Sequence, residues 1–261
     1  MSLDKSIEYV KRNSTDPFDT VRMQYILNGK IPNDEELKEL ITTQRQDGRW
    51  SPFWAQDNSS LDATCYRLAT LEQAGINQHP VIDRAIDFIT KHMNEKGYFE
   101  EDNIPLDSCP PWVMPGDIKA RLYLTANCGF WIYYYTSNID DRIIAYLREH
   151  IDHEGNMNSF LHTNWLTGGL FYSLGLNKEA ETIFQYLVEQ CSTLSSDNLA
   201  WLINTLIVSE VSCEEEVIVK SIARLIDLKK SDGSWSSDDG PWKDIHTTIE
   251  SIRALRYVGI R

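Results

Sequence analysis

The sequence has no long apolar run. No stretch of about 18 uncharged apolar residues occurs, and the densest one, around residues 128–135, is far too short to span a bilayer. Residues 1–12 contain no apolar signal-peptide core. These absences predict an unexported, cytoplasmic chain without a transmembrane segment. Cysteine is scarce: Cys65, Cys109, Cys128, Cys191 and Cys213 are odd in number, widely spread and free of any C-x-x-C pair. That argues against a disulfide framework and against a cysteine-rich zinc centre, and predicts reduced thiols. Positive charge is also short, 25 Lys and Arg against 39 Asp and Glu, and the resulting net charge of −14 repels nucleic acid and anionic surfaces. No Gly-rich phosphate loop, Gly-x-Ser-x-Gly elbow or His-Glu-x-x-His pair is present. The acidic string 236–240 lacks the spacing of a calcium loop and reads as a solvated turn. Neither a cofactor nor a metal is expected from the residues themselves.

What the sequence does contain is a repeat. An apolar stripe at helical spacing over 36–43 leads into Gln44-Arg45-Gln46-Asp47-Gly48-Arg49-Trp50, then a polar loop, then a second helical run over 61–74 that stops at Gly75. The order returns near the C-terminus: a run over 222–229, then Lys230-Ser231-Asp232-Gly233-Ser234-Trp235, a polar loop through Gly240-Pro241-Trp242, and a run over 245–258 stopped by Gly259. In this register Asp62 falls opposite His246, Thr64 opposite Thr248 and Leu71 opposite Leu255. Weaker copies centre on Gly97 and Gly155, and the pairs 180–191 with 197–209 and 5–12 with 18–27 complete about six helical hairpins. Asp-Gly supplies a positive-φ position just past the first helix, and the Trp folds back over that helix end as an apolar plug with a free N–H.

With 42% hydrophobic residues the chain can fill a large core. The second helices are apolar nearly all round, as over 126–135, 166–174 and 199–208, whereas the first helices carry charge on one face. An all-round apolar helix must be enclosed. The expected fold is therefore all-α, one domain over 1–261, with six hairpins closed into an (α/α)6 toroid of inner second helices and outer first helices. A Pro-rich excursion over 100–115 is too long for a connector and is expected to form a rim or lid.

The Gln/Lys-x-x-Asp-Gly-x-Trp loop, followed about a dozen residues later by Asp62 or His246 opening a second helix, resembles the repeat of squalene–hopene and oxidosqualene cyclases and of protein prenyltransferase β-subunits. The resemblance implies an α6–α6 toroid and an isoprenoid ligand. It departs from the cyclases in having no Asp-x-Asp-Asp acid motif. The nearest strings are Asn138-Ile139-Asp140-Asp141 and Ser60-Leu61-Asp62-Ala63, the latter keeping one acid. The magnesium motif Asp-Asp-x-x-Asp is missing too, because Asp140-Asp141 continues as Arg142-Ile143-Ile144. On the prenyltransferase side, zinc would fall to Asp107, Cys109 and His246.

Each inner helix carries a polar residue near its start: Asp19, Asp62, Asp117, His162, Asp197 and His246. In a toroid these six gather at one end as an acidic and imidazole ring, which makes them the catalytic candidates; helix N-capping accounts for an Asp there equally well. The aromatics Trp131, Tyr134, Trp165, Phe171, Tyr172 and Trp201 on the same helices are the substrate-binding candidates, where ring faces could stabilise a cation, shape an isoprenoid pocket or only fill the core. The leading expectation is a terpenoid-cyclase-like lyase or isomerase that binds a small apolar or isoprenoid ligand in the central cavity and acts on it by acid catalysis. Two alternatives stay open, a non-catalytic binding or scaffold toroid and a carbohydrate-active (α/α)6 barrel with paired carboxylates about 5–10 Å apart.

Overall fold

Two kinds of helix alternate along the chain, and their burial separates them into layers. The computed structural model describes residues 2–58, 60–102 and 104–261. Among these, the outer helices are α1 (Asp4–Asn13), α3 (Lys38–Thr43), α5 (Pro80–Lys91), α7 (Asp141–Glu149), α9 (Asn177–Gln190) and α11 (Glu216–Asp227). Interleaved with them are α2 (Pro17–Asn28), α4 (Leu61–Gln73), α6 (Ile118–Thr136), α8 (Leu161–Ser173), α10 (Ser196–Val208) and α12 (Asp244–Tyr257). In α5 the stripe Val81, Ile82, Ala85, Ile86, Phe88 and Ile89 is buried while Asp83, Asp87 and Lys91 face water. In α8 every residue from Thr163 to Phe171 is buried, so this helix has protein on all sides.

The inner helices touch in the cyclic order α2, α4, α6, α8, α10, α12 and back to α2. That last contact closes a ring and distinguishes the fold from an open solenoid. Closure is stitched at both layers: Leu3 N–H donates to the Arg261 carbonyl at 3.3 Å, Lys229 Nζ to the Ser2 carbonyl at 3.0 Å, and Arg256 to the carbonyls of Ile26 and Leu27, each at 3.1 Å. The architecture is the all-helical toroid that the repeat predicts. No strand occurs among the described residues, only an isolated bridge between Trp50 and Ser60, and no described helix is long and apolar enough to cross a membrane.

Four loops share one geometry. Gly48, Gly97, Gly155 and Gly233 all have φ between 84° and 96°, and each donates its N–H three residues back, to Arg45, Asn94, Asp152 and Lys230. A Cβ at Gly48 would lie 2.0 Å from the carbonyl oxygen of Arg84 in α5; at Gly97 it would strike Arg142 of α7, at Gly155 Thr182 of α9, and at Gly233 Lys5 of α1. Glycine is therefore required twice over, by backbone sign and by the backbone of the next outer helix. Each loop couples one hairpin to the next, and the fourth couples the last to the first. The indoles of Trp50 and Trp235 are fully buried and donate to Leu40 O at 3.0 Å and Leu225 O at 2.7 Å, capping the outer helix ends. Their main-chain N–H groups bond Thr64 and Thr248 of the following inner helices.

The outer helix α11 begins at Glu216, earlier than the run expected over 222–229, because Val217 and Ile218 already belong to its buried stripe. Four cysteines are buried and Cys213 is exposed, and none is in a disulfide.

Candidate functional site

The first turn of α4 is capped by two groups that are not Asp62. Ser60 Oγ accepts from Ala63 N–H at 3.0 Å, and Glu101 accepts from Ser60 Oγ (2.7 Å), Leu61 N–H (3.0 Å) and Asp62 N–H (3.1 Å). The reading of Asp62 as a helix cap is corrected by this arrangement: its carboxylate is free of backbone duty and turns toward α6. There Oδ1 accepts from Tyr123 Oη at 2.7 Å and from Asn127 Nδ2 at 3.5 Å, while Oδ2 accepts from Trp112 Nε1 at 3.2 Å. Trp112 comes from the Pro-rich excursion, which folds through short turns at Leu106–Ser108 and Pro111–Val113 and packs on α6. Asn103, within that excursion, lies outside the described residues.

Burial pushes the Asp62 carboxyl above the ordinary aspartate range, against the pull of the Tyr123 and Trp112 hydrogen bonds and the Lys243 charge. Glu101 is raised to about 7, first by burial and also by the neighbouring Asp62 charge, with its three donors opposing. Two carboxyls thus share one helix end in a dry setting, one capping and one turned inward.

A ring stack continues from Tyr123. Its phenol meets His162 edge-on at 5.3 Å; His162 lies stacked between Phe160 (5.9 Å) and Trp201 (5.0 Å), and Trp165 closes on Trp201 at 5.4 Å. Burial lowers His162 to about 4, and its Nδ1 and the Trp165 Nε1 are buried without hydrogen-bond partners. His246 is held neutral differently. Burial first, then the Arg22 charge, takes it well below the usual imidazole value, and its Nδ1 accepts from Arg22 Nη1 at 3.2 Å.

The structure distributes the six inner-helix starts unevenly. Asp62, His162 and His246 turn toward one another's neighbours in the ring, through Tyr123 and through Tyr66, whose ring is 6.4 Å from His246. Asp117 is exposed and caps α6 through Lys119 N–H (2.7 Å) and Ala120 N–H (3.0 Å). Asp19 accepts from Ser14 Oγ at 2.7 Å and lies 3.6 Å from Arg22. Asp197 holds the loop before α12, accepting from Ser237 Oγ at 3.0 Å and Asp238 N–H at 3.3 Å. Of the aromatic candidates, Trp165 and Trp201 join the His162 stack, Trp131 and Tyr134 form a second cluster toward the far end of α6, Phe171 is fully buried, and Tyr172 packs on Phe184 of outer α9. Asp107 is exposed, Cys109 Sγ points at the carbonyls of Pro110 and Val113, and His246 is engaged by Arg22. No cluster of three His, Cys, Asp or Glu able to hold a metal forms among the described residues.

The sequence reading missed Glu101, Trp112, Tyr123 and Asn127. Glu101 and Trp112 sit in the excursion already singled out as a rim, and Tyr123 and Asn127 stand at i and i+4 as polar interruptions of an apolar helix. It also missed the charged pairs inside the ring, Arg22 with Glu250 and Arg253 with Glu72, the former pinned by Asn204 Nδ2 at 2.7 Å from Glu250.

The two buried titrations have opposite signs. Glu101, raised from 4.5 to about 7, binds more proton folded than unfolded, so its contribution to stability is present below pH 4.5 and is lost as pH climbs through 7. His162, lowered from 6.5 to about 4, contributes stability present above pH 6.5 and lost as pH falls through 4. Each amounts to about 3 kcal/mol and they nearly cancel where their windows overlap. Urea unfolding across that range is expected to show Glu101→Gln gaining a stability that rises with pH relative to the parent, and His162→Phe one that falls; parallel profiles for all three proteins would contradict these assignments.

No family model matches the chain, and no curated protein matches it in sequence. Solved structures do match over nearly full length. A protein from Actinoplanes superposes with a TM-score of 0.65 at 13% identity, covering 97% of both chains. A substituted form of the type II terpene cyclase MstE from Scytonema, in complex with merosterolic acid A as product, gives 0.62 at 14% identity over 97% of this chain and 95% of that one. Another, in complex with geranylgeranyl dihydroxybenzoate as substrate, gives 0.60 at 14% identity over 97% and 96%. The chain has the helical toroid fold of a type II terpene cyclase.

Proposed function

We propose that the toroid binds an isoprenoid or similar apolar chain at its mouth and protonates a carbon–carbon double bond of it with Asp62, giving a cyclised or isomerised product. The observation that carries this is the Asp62 carboxyl itself, raised by burial and met by Tyr123, Trp112 and Asn127. Burial disfavours the carboxylate and so shifts the balance toward the protonated acid. When that proton passes to an alkene carbon, the π pair forms the new C–H bond and the carboxylate left behind accepts the three hydrogen bonds already aimed at it, so the donors stabilise the product of the step more than its start. The cation formed lies against the Tyr123, His162 and Trp201 rings and ends by losing a proton or taking up water. Asp62 fills this role without an Asp-x-Asp-Asp string because its supporting groups come from other elements, the excursion and α6.

The fold shared with MstE, whose substrate and product complexes are solved, supports the ligand class. Incubation with geraniol, farnesol, geranylgeraniol and their diphosphates, followed by mass spectrometry of products, tests the reading; no turnover and no saturable binding of any of them would sink it. A second reading, a non-catalytic toroid, is favoured by one feature, the Arg22–Glu250 and Arg253–Glu72 pairs that occupy the ring interior. Saturable binding without turnover, unchanged by Asp62→Asn, would select it. The carbohydrate-active reading has less support, since both Glu101 oxygens are taken up by Ser60, Leu61 and Asp62 donors.

A further inference from the structure

We infer that the Glu72–Arg253 pair is the floor of the lumen and limits the length of the apolar chain the toroid accepts. The inference rests on the reading above that the toroid binds such a chain at its mouth, and extends that chain into the ring. Asp62, Tyr66, Ala69 and Gln73 share one face of α4 by helical spacing. None of the four is fully buried, and Tyr66 is 51% exposed, although it lies one turn inside the helix. This face looks into the ring, because Asp62 reaches α6 and Tyr66 approaches His246 of α12, which is separated from α4 by α2. Below the mouth, then, this face of α4 keeps accessible area.

That face ends at a charge pair that bridges α12 and α4 past α2. Arg253 leaves α12 and bonds Glu72 near the end of α4, passing inside α2, and the two side chains are only 14% and 9% exposed. The same pair acts on Tyr134 of α6, the inner helix opposite α12 in the cycle, whose phenol donates to Asn77 Oδ1 at 3.1 Å. Beside it Tyr25 is packed against Gly75, where a Cβ would lie 2.2 Å from the ring. Separating the two ions breaks a charge-assisted hydrogen bond between largely buried groups and leaves them only the more distant Glu250 and Arg22 charges. Glu72 follows Asp62 by ten residues on one helix, which places the floor about 15 Å below the acid. A chain that reaches farther must part the ions or fold back on itself.

Binding of geraniol, farnesol, geranylgeraniol and squalene to the full chain, followed by tryptophan fluorescence, reads this limit. The parent is expected to bind geraniol and farnesol and to bind geranylgeraniol and squalene at least about tenfold more weakly. Replacing both ions together, Glu72→Leu with Arg253→Leu, removes the floor without stranding a charge, and is expected to tighten geranylgeraniol at least about tenfold while leaving geraniol unchanged. Ala69→Phe, a separate variant on the same face one turn above, raises the floor instead and is expected to weaken farnesol more than geraniol. Thermal unfolding of each variant confirms that it is folded before its length profile is read. A parent that binds all four alike, or a length profile that neither variant moves, overturns the floor while leaving isoprenoid binding intact. Failure of the parent to bind any of the four overturns the isoprenoid reading and the floor with it.

Discussion

Trp50→Ala is expected to lower folding stability by about 3–5 kcal/mol, and Trp235→Ala by a similar amount, the range for removing a fully enclosed large aromatic. Both indoles are fully buried, and both also donate to a carbonyl at the end of an outer helix, that of Leu40 and that of Leu225. Truncation therefore opens a cavity and removes a helix-end hydrogen bond at once. Gly48→Ala belongs to the same group: it places a Cβ 2.0 Å from the Arg84 carbonyl oxygen at a φ of 96°, so α5 must move or the loop must reopen. Urea unfolding at neutral pH measures all three. A loss under about 1 kcal/mol for Trp50→Ala would mean that the loop does not couple the hairpins.

Asp62→Asn is expected to lower turnover of any isoprenoid substrate by about 10²-fold or more, the scale of a lost general acid, with ligand affinity little changed. The amide keeps the size of the carboxyl and an oxygen that can accept from Tyr123, but it has no proton to give. Tyr123→Phe leaves the acid in place and removes the donor 2.7 Å from its Oδ1, so a smaller loss of turnover, with an altered pH profile, is expected. Equal turnover of Asp62→Asn and parent would remove Asp62 from the chemistry.

Much of the toroid was legible because its information is local. The Asp-Gly-x-Trp loop announces itself through a glycine that must have positive φ and a tryptophan that must be buried, and both are properties of a few consecutive residues. Even the copies without tryptophan keep the geometry, with Phe99 and Met157 fully buried at the equivalent position. The ring was legible through the all-round apolar character of α6, α8 and α10. The site was legible only in part, since periodicity places Asp62 at the mouth but says nothing of what approaches it. Trp112 lies 50 residues away in sequence, Tyr123 61, and Glu101 about 40, so the groups that surround the acid meet it only in the closed ring. The same holds for the buried pairs: Arg22 and Glu250 are 228 residues apart and meet only because the last inner helix returns to the first. Reading six inner-helix starts as equivalent was the step that sequence alone could not refine. The structure leaves Asp117 as a cap, Asp197 as a loop anchor and Asp19 between Ser14 and Arg22, and turns the Asp62 carboxyl toward α6.

The central claim, that Asp62 delivers a proton to carbon, is tested most directly in deuterium oxide. Mass spectrometry of the product formed from farnesol by the parent chain is predicted to show one deuterium bound to carbon, absent when Asp62→Asn is used and reduced in rate with Tyr123→Phe. Product without deuterium, or equal incorporation by Asp62→Asn, would contradict it.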